Sequence, residues 1–148
     1  MSISEVLSVE QVIIDLEAST KEAVIKELAR YLEIKGVLTD RDIYISSVLE
    51  REEHSTTGIG NGIAIPHGKS ETVTAAAIAY AKLKTPIEWE ALDDKPVSIV
   101  IMLAIPDSEK GDTHLRLLSE IAIKLMDDKI VSELKAATEP TVIINLLK

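Results

Sequence analysis

The 148-residue chain has no cysteine and no phenylalanine, and only 3% of its residues are aromatic. Without cysteine it forms no disulfide, holds no thiolate-ligated zinc and offers no sulfur nucleophile. Without phenylalanine, its core has to be built from Ile, Val, Leu and Ala. Positive charge is also scarce: 16 Lys and Arg stand against 25 Asp and Glu, a net charge of −9. That balance, with no basic cluster, argues against nucleic acid and against an anionic membrane surface as partners. No apolar run approaches the roughly 20 residues of a membrane-spanning helix. The opening MSISEVLSVE has neither the basic nor the long apolar region of a secretory signal. The expectation is a cytoplasmic protein.

What remains has globular proportions, with 46% hydrophobic and 28% charged residues. The length fits one domain over residues 1–148 and suffices for a sizeable core. Val12-Ile13-Ile14 reads as a short strand. Ser19, three residues before Glu22, has the spacing of a capping box. A helix follows from there and stops at Gly36. Thr39 and Asp42 repeat the start signal for a second helix running to about Glu52.

Ile63 to Ile65 reads as a short strand entering a turn at Pro66-His67-Gly68. Ala75 to Leu83, Ile87-Glu88-Trp89 and Val97 to Ile105 read as further strands, the last a central one ending at Pro106. A helix is expected from about Asp112 to Met126, with Leu115, Leu118, Ala122 and Leu125 on one stripe. Two shorter helices follow near Lys129–Ala136 and Pro140–Leu147. Helices at both ends around several strands imply one layered α/β domain.

Three histidines are present: His54, His67 and His114. A neutral imidazole is a nucleophile whose charge switches near neutral pH. His67 leaves a short apolar strand, and Pro66 before it fixes the local backbone. The spacing of His114 with Leu118, Ile121 and Leu125 turns it inward at a helix N-terminus, where anions are favoured. His54 follows Arg51, Glu52 and Glu53 at the end of the second helix and reads as a surface residue. Gly58-Ile59-Gly60-Asn61-Gly62 is not the dinucleotide pattern, because its third glycine comes one residue early. Gly68-Lys69-Ser70 is not a P-loop end, because Ile63 stands where the first glycine belongs. A three-histidine zinc site lacks short ligand spacing, and no metal or cofactor is expected.

The stretch LEREEHSTTGIGNGIAIPHGK and the later THLRLLSEIA resemble the enzyme IIA domain of the fructose/mannitol class (type 2) of the bacterial phosphoenolpyruvate-dependent sugar phosphotransferase system. STKEAVIKELA and TPIEWEALDDKPVSIVIMLAIP extend the likeness along the chain, which is nearest to the fructose-type and nitrogen-regulatory branches. The resemblance implies a mixed sheet of about five strands flanked by helices. It implies a phosphocarrier in which His67 takes a phosphoryl group from phospho-HPr and passes it to an enzyme IIB, with the membrane component IIC involved only indirectly. It assigns His114 and Arg51 to holding that group. His54 departs from the family, where this place is not usually histidine.

On this reading Gly58, Gly60, Gly62 and Gly68 keep bulk low and present backbone N–H groups to phosphate oxygens, while Thr57 and Asn61 add neutral donors. Two alternatives remain at this point. One is a nitrogen-type regulatory protein acting through the phosphorylation state of His67. The other is a histidine metal-binding protein.

Overall fold

A computed structural model describes residues 2–108 and 112–148; within the helix that begins at Thr113, the side chains of Thr113 and His114 lie outside the described set. A short helix α1 (Ile3–Val6) and a 3₁₀ turn (Val9–Gln11) lead into strand β1 (Val12–Leu16). Helices α2 (Lys21–Ile34) and α3 (Arg41–His54) come next. Three short strands follow, β2 (Gly58–Gly60), β3 (Ile63–Ala64) and β4 (His67–Ser70). The long strands β5 (Ala77–Ile87) and β6 (Val97–Pro106) precede α4 (Thr113–Leu125), α5 (Asp128–Ala136) and α6 (Pro140–Leu147).

These six strands form one mixed sheet in the order β1-β5-β6-β3-β2, and β4 also pairs with β6. The sheet has one more strand than expected. β5 and β6 run antiparallel, as do β2 and β3, whereas β1 runs parallel to β5 and both β3 and β4 run parallel to β6.

The central strands are apolar on both sides, so period-2 alternation divides the core into two layers. Ala77, Ala79 and Ala81 of β5 with Val100, Met102 and Ala104 of β6 pack beneath Val24, Leu28, Tyr44 and Val48 of α2 and α3. The alanines let those two helices lie close to the sheet. On the other side Ile78, Tyr80, Ile99, Ile101 and Leu103 pack with Leu117, Ile121 and Leu134 from α4 and α5.

Several local expectations shift by one residue, for visible reasons. The N-cap of α2 is Thr20, not Ser19; its side chain accepts from Ala23 N at 3.1 Å. Asp40 rather than Thr39 caps α3, because the Thr39 hydroxyl is used on the carbonyl of Thr72. Gly36 ends α2 as expected, with φ +86° and Val37 N–H donating to Leu32 O at 2.9 Å, which closes the last turn.

The expected separate strand at Ile87-Glu88-Trp89 does not form. Ile87 ends β5, Glu90 turns to φ +61°, and the fully buried Trp89 fills the α2–α3 layer instead. In α4 the buried stripe is Leu117, Ile121 and Leu125, while Leu115 is 57% exposed. The stripe therefore sits on a different face of the helix from the one expected through Leu115 and Ala122.

Candidate functional site

His67 is the first residue of β4 and not part of a turn. Its backbone is held by Leu103 N–H donating to Pro66 O at 3.0 Å and by the β4–β6 register, which sets His67 opposite Leu103 and Gly68 opposite Ala104. Paired residues share a sheet face, so His67 lies on the α4 side and Gly68 on the α3 side.

The imidazole Nδ1 is 3.1 Å from Ile65 O. A carbonyl oxygen can only accept, so Nδ1 carries the hydrogen. In the neutral ring the lone pair is then on Nε2. A ring with one nitrogen committed to the backbone has its other nitrogen aimed in a set direction.

A concavity of about 380 Å³ opens beside this ring, lined by Ser47, Glu50, Arg51, His54, His67, Gly68 and Lys69. Ser47, Glu50, Arg51 and His54 recur at three- and four-residue intervals and so form one stripe on α3. The stripe is placed by tight contact between α3 and β4. A Cβ on Gly68 would sit 2.8 Å from Val48 Cγ2, 3.1 Å from Ser47 Oγ and 3.2 Å from Tyr44 Cε1. Only glycine lets α3 come this near. Two hydrogen bonds lock the approach: Ser47 Oγ donates to Lys69 O at 3.0 Å, and the Tyr44 hydroxyl donates to Leu103 O at 2.7 Å, at the register position of His67.

Arg51 is half-buried, and its Nη1 donates to Ser55 O at 2.9 Å. That anchors the guanidinium where the helix ends. The next residue, Glu52, points elsewhere. It is buried, it accepts from the Thr57 hydroxyl, and its other oxygen lies 3.9 Å from Lys21 Nζ.

The structure therefore brings Arg51, His67 and Gly68 together and sets Thr57, Gly58, Gly60, Asn61 and Gly62 apart from them. Thr57 is buried, with its hydroxyl given to Glu52 and its carbonyl accepting from Ile65 N–H. Gly58 is buried too, and a Cβ there would meet Ala91 Cα at 2.8 Å. Gly60, Asn61 and Gly62 have φ of +105°, +58° and +78°. They make the tight turn between β2 and β3.

Gly62 O accepts from Ser98 N–H at 2.8 Å and Ile99 N–H at 3.0 Å, whereas His67 faces Leu103. Four to five residues along a strand amount to about 13–17 Å. The turn thus stands at the far end of β6 from His67, and the expected cradle of glycine N–H groups around the imidazole is not assembled. Asp93 braces the turn instead. Its carboxyl is held below its ordinary value, chiefly by the Lys95 N–H and also by the Asn61 N–H.

His114 belongs to the first turn of α4, and its side chain is outside the described residues. Ser47, Glu50 and Lys69 were not foreseen. The α3 spacing of Ser47, Glu50, Arg51 and His54 was the signal that could have found the first two. Among the described residues no cluster of three or more His, Cys, Asp or Glu could hold a metal ion, and no helix is long and apolar enough to cross a membrane.

A sequence model of the family described as "Phosphoenolpyruvate-dependent sugar phosphotransferase system, EIIA 2" matches residues 5–148. The chain is 37% identical over 147 residues to the PTS system fructose-specific EIIABC component of Bacillus subtilis, covering 99% of this chain but 23% of that protein. It is 42% identical over 115 residues to the nitrogen regulatory protein of Klebsiella oxytoca, covering 73% of this chain and 70% of that one.

Among solved structures, the nitrogen regulatory protein IIA-Ntr of Neisseria meningitidis superposes with a TM-score of 0.92 at 28% identity, over 99% of each chain. The mannitol enzyme IIA of Escherichia coli, solved in complex with phosphorylated enzyme IIB, gives 0.82 at 22% identity over 95% of this chain and 96% of that one. At that identity the likeness is one of fold.

Proposed function

The chain belongs to the EIIA type 2 family of the phosphoenolpyruvate-dependent sugar phosphotransferase system, and from that premise we propose that it is a cytoplasmic phosphocarrier with His67 as its phosphorylated residue. His67 accepts a phosphoryl group from phospho-HPr and gives it to an enzyme IIB in sugar uptake of the fructose type. The observation that carries this reading is the placement of His67 and Arg51 in one concavity, with the imidazole Nδ1 hydrogen given to Ile65 O.

The Nε2 lone pair attacks phosphorus. The new N–P bond forms as the donor's N–P bond breaks, and the donor imidazole leaves with that bond's electron pair. Onward transfer repeats the step in the other sense: the nucleophile of IIB attacks, and His67 returns to the neutral ring. Such a transfer needs alignment and charge neutralisation more than covalent assistance. Arg51 supplies the planar cation, matched to phosphate oxygens, and Lys69 at the rim supplies a second. His114, which the resemblance pairs with His67, is assigned as a hydrogen-bond donor to the phosphoryl group and not as its covalent carrier.

Incubation with phosphoenolpyruvate, enzyme I and HPr tests the reading. An acid-labile, base-stable phosphate on Nε2 of His67 is the expected product, and its absence would overturn it. A second reading, a nitrogen-type regulatory role for the same phosphohistidine, is favoured by the 42% identical relative. Transfer to a fructose-type IIB supports uptake; phosphorylation without any IIB acceptor supports regulation.

A further inference from the structure

One imidazole in the concavity is left without a role by the transfer chemistry. His54 lies in the last turn of α3, three residues after Arg51, exposed and lining the same concavity as Arg51 and His67. We propose that His54 is a further ligand of the phosphoryl group, binding it only when protonated, so that the affinity of the chain for phosphate is tuned by pH. This rests on the reading of His67 as the phosphorylated residue.

The charges around the concavity carry the argument. Among the described residues that line it, α3 contributes Glu50, Arg51 and His54, and β4 contributes His67 and Lys69. Glu53, the other acidic neighbour on α3, lines a different hollow together with Glu52 and Glu90. Leaving the histidines aside, two cations and one anion face the concavity. A phosphoryl group adds a charge of about −1.5 to −2, so the phosphorylated site is short of about one positive charge. A protonated His54 supplies it.

The helix end suits this state of the ring, since the last carbonyls of α3 favour a cation. A side chain that only capped the helix would feel what His67 carries weakly, across screened solvent. A phosphate ligand feels it strongly, because an anion in direct contact makes the imidazole hold its proton more tightly. Linkage then requires the reverse: a protonated His54 makes His67 hold its phosphoryl group more tightly. This extra affinity is complete below the titration midpoint of His54 in the unphosphorylated chain. It is lost as pH rises through the higher midpoint in the phosphorylated chain.

The test is a histidine-resolved NMR titration of the full chain from about pH 6 to about pH 9, before and after phosphorylation through HPr. The expected result is an upward move of the His54 midpoint by about half a unit, shrinking as salt is added. The same coupling should appear in the equilibrium of phosphoryl exchange with HPr. Wild type should hold phosphate about threefold more tightly than His54→Gln at the acid end and equally at the alkaline end. His54→Lys, a cation throughout, should keep its advantage over His54→Gln at both ends.

A phosphorylated His67 with an unmoved His54 midpoint, or a pH-independent ratio between wild type and His54→Gln, would overturn this inference alone. A chain that takes no phosphate would overturn it together with the reading beneath it.

Discussion

Two ends of one short stretch, the Gly60-Asn61-Gly62 turn and the His67-Gly68 pair, are both rich in glycine, yet the fold uses them for unrelated purposes. At the turn, glycine answers a backbone demand: three successive positive φ values that residues with a Cβ adopt only at a cost. At Gly68 the demand comes from packing, because α3 occupies the space a side chain would fill. The first closes a hairpin beside Ser98. The second lets the polar stripe of α3 reach His67. A glycine-dense loop next to a histidine suggests a phosphate cradle, but the register of β6 assigns only one of these glycines to the histidine's surroundings.

The largest effect is expected from His67→Ala, which removes the proposed nucleophile. Phosphorylation should vanish while the melting temperature stays within a few degrees, about 3 °C, of wild type, because β4 pairs through its backbone. Mass spectrometry and circular dichroism read the two parts. A collapse of the fold would show that the ring is structural as well.

Arg51→Ala should slow transfer from phospho-HPr by about ten- to a hundredfold with little change in stability. Arg51→Lys should recover only part of the rate, since a fork becomes a point charge. Equal rapid-quench rates for all three proteins would take Arg51 out of the site.

Gly68→Ala should lower both properties. Its methyl group forces α3 outward, costing about 1–3 kcal/mol in chemical denaturation and carrying Arg51 away from the imidazole. A variant that lost stability but kept the wild-type rate would separate helix packing from the site.

The smallest effect is expected at the other end. Gly62→Ala should cost about 1 kcal/mol through its left-handed backbone, with phosphoryl transfer at the wild-type rate. Slowed transfer there would bring the turn back into the phosphate's surroundings and erase the contrast.

The apolar content of β5 and β6 and the Gly36 stop were legible because each depends on near neighbours in the chain. The two-sided burial of β6 followed directly from its apolar run, Ile99 to Ile105. Pairing choices were not legible. Nothing local says that His67 belongs to a strand, since β4 exists only by borrowing hydrogen bonds from β6. Nor could spacing reveal that the Thr57 hydroxyl is claimed by Glu52, a bond that depends on how α3 meets β2. Within the candidate site, residues on one element were readable as a stripe, as with Ser47, Arg51 and His54. Residues joined across elements needed the register.

Phosphosite mapping tests the central claim most directly. The chain is phosphorylated with phosphoenolpyruvate, enzyme I and HPr, digested at alkaline pH and sequenced by tandem mass spectrometry. One phosphoryl group on His67, and on no other histidine, is the predicted result; phosphate on His54 or His114, with His67 unmodified, would contradict it.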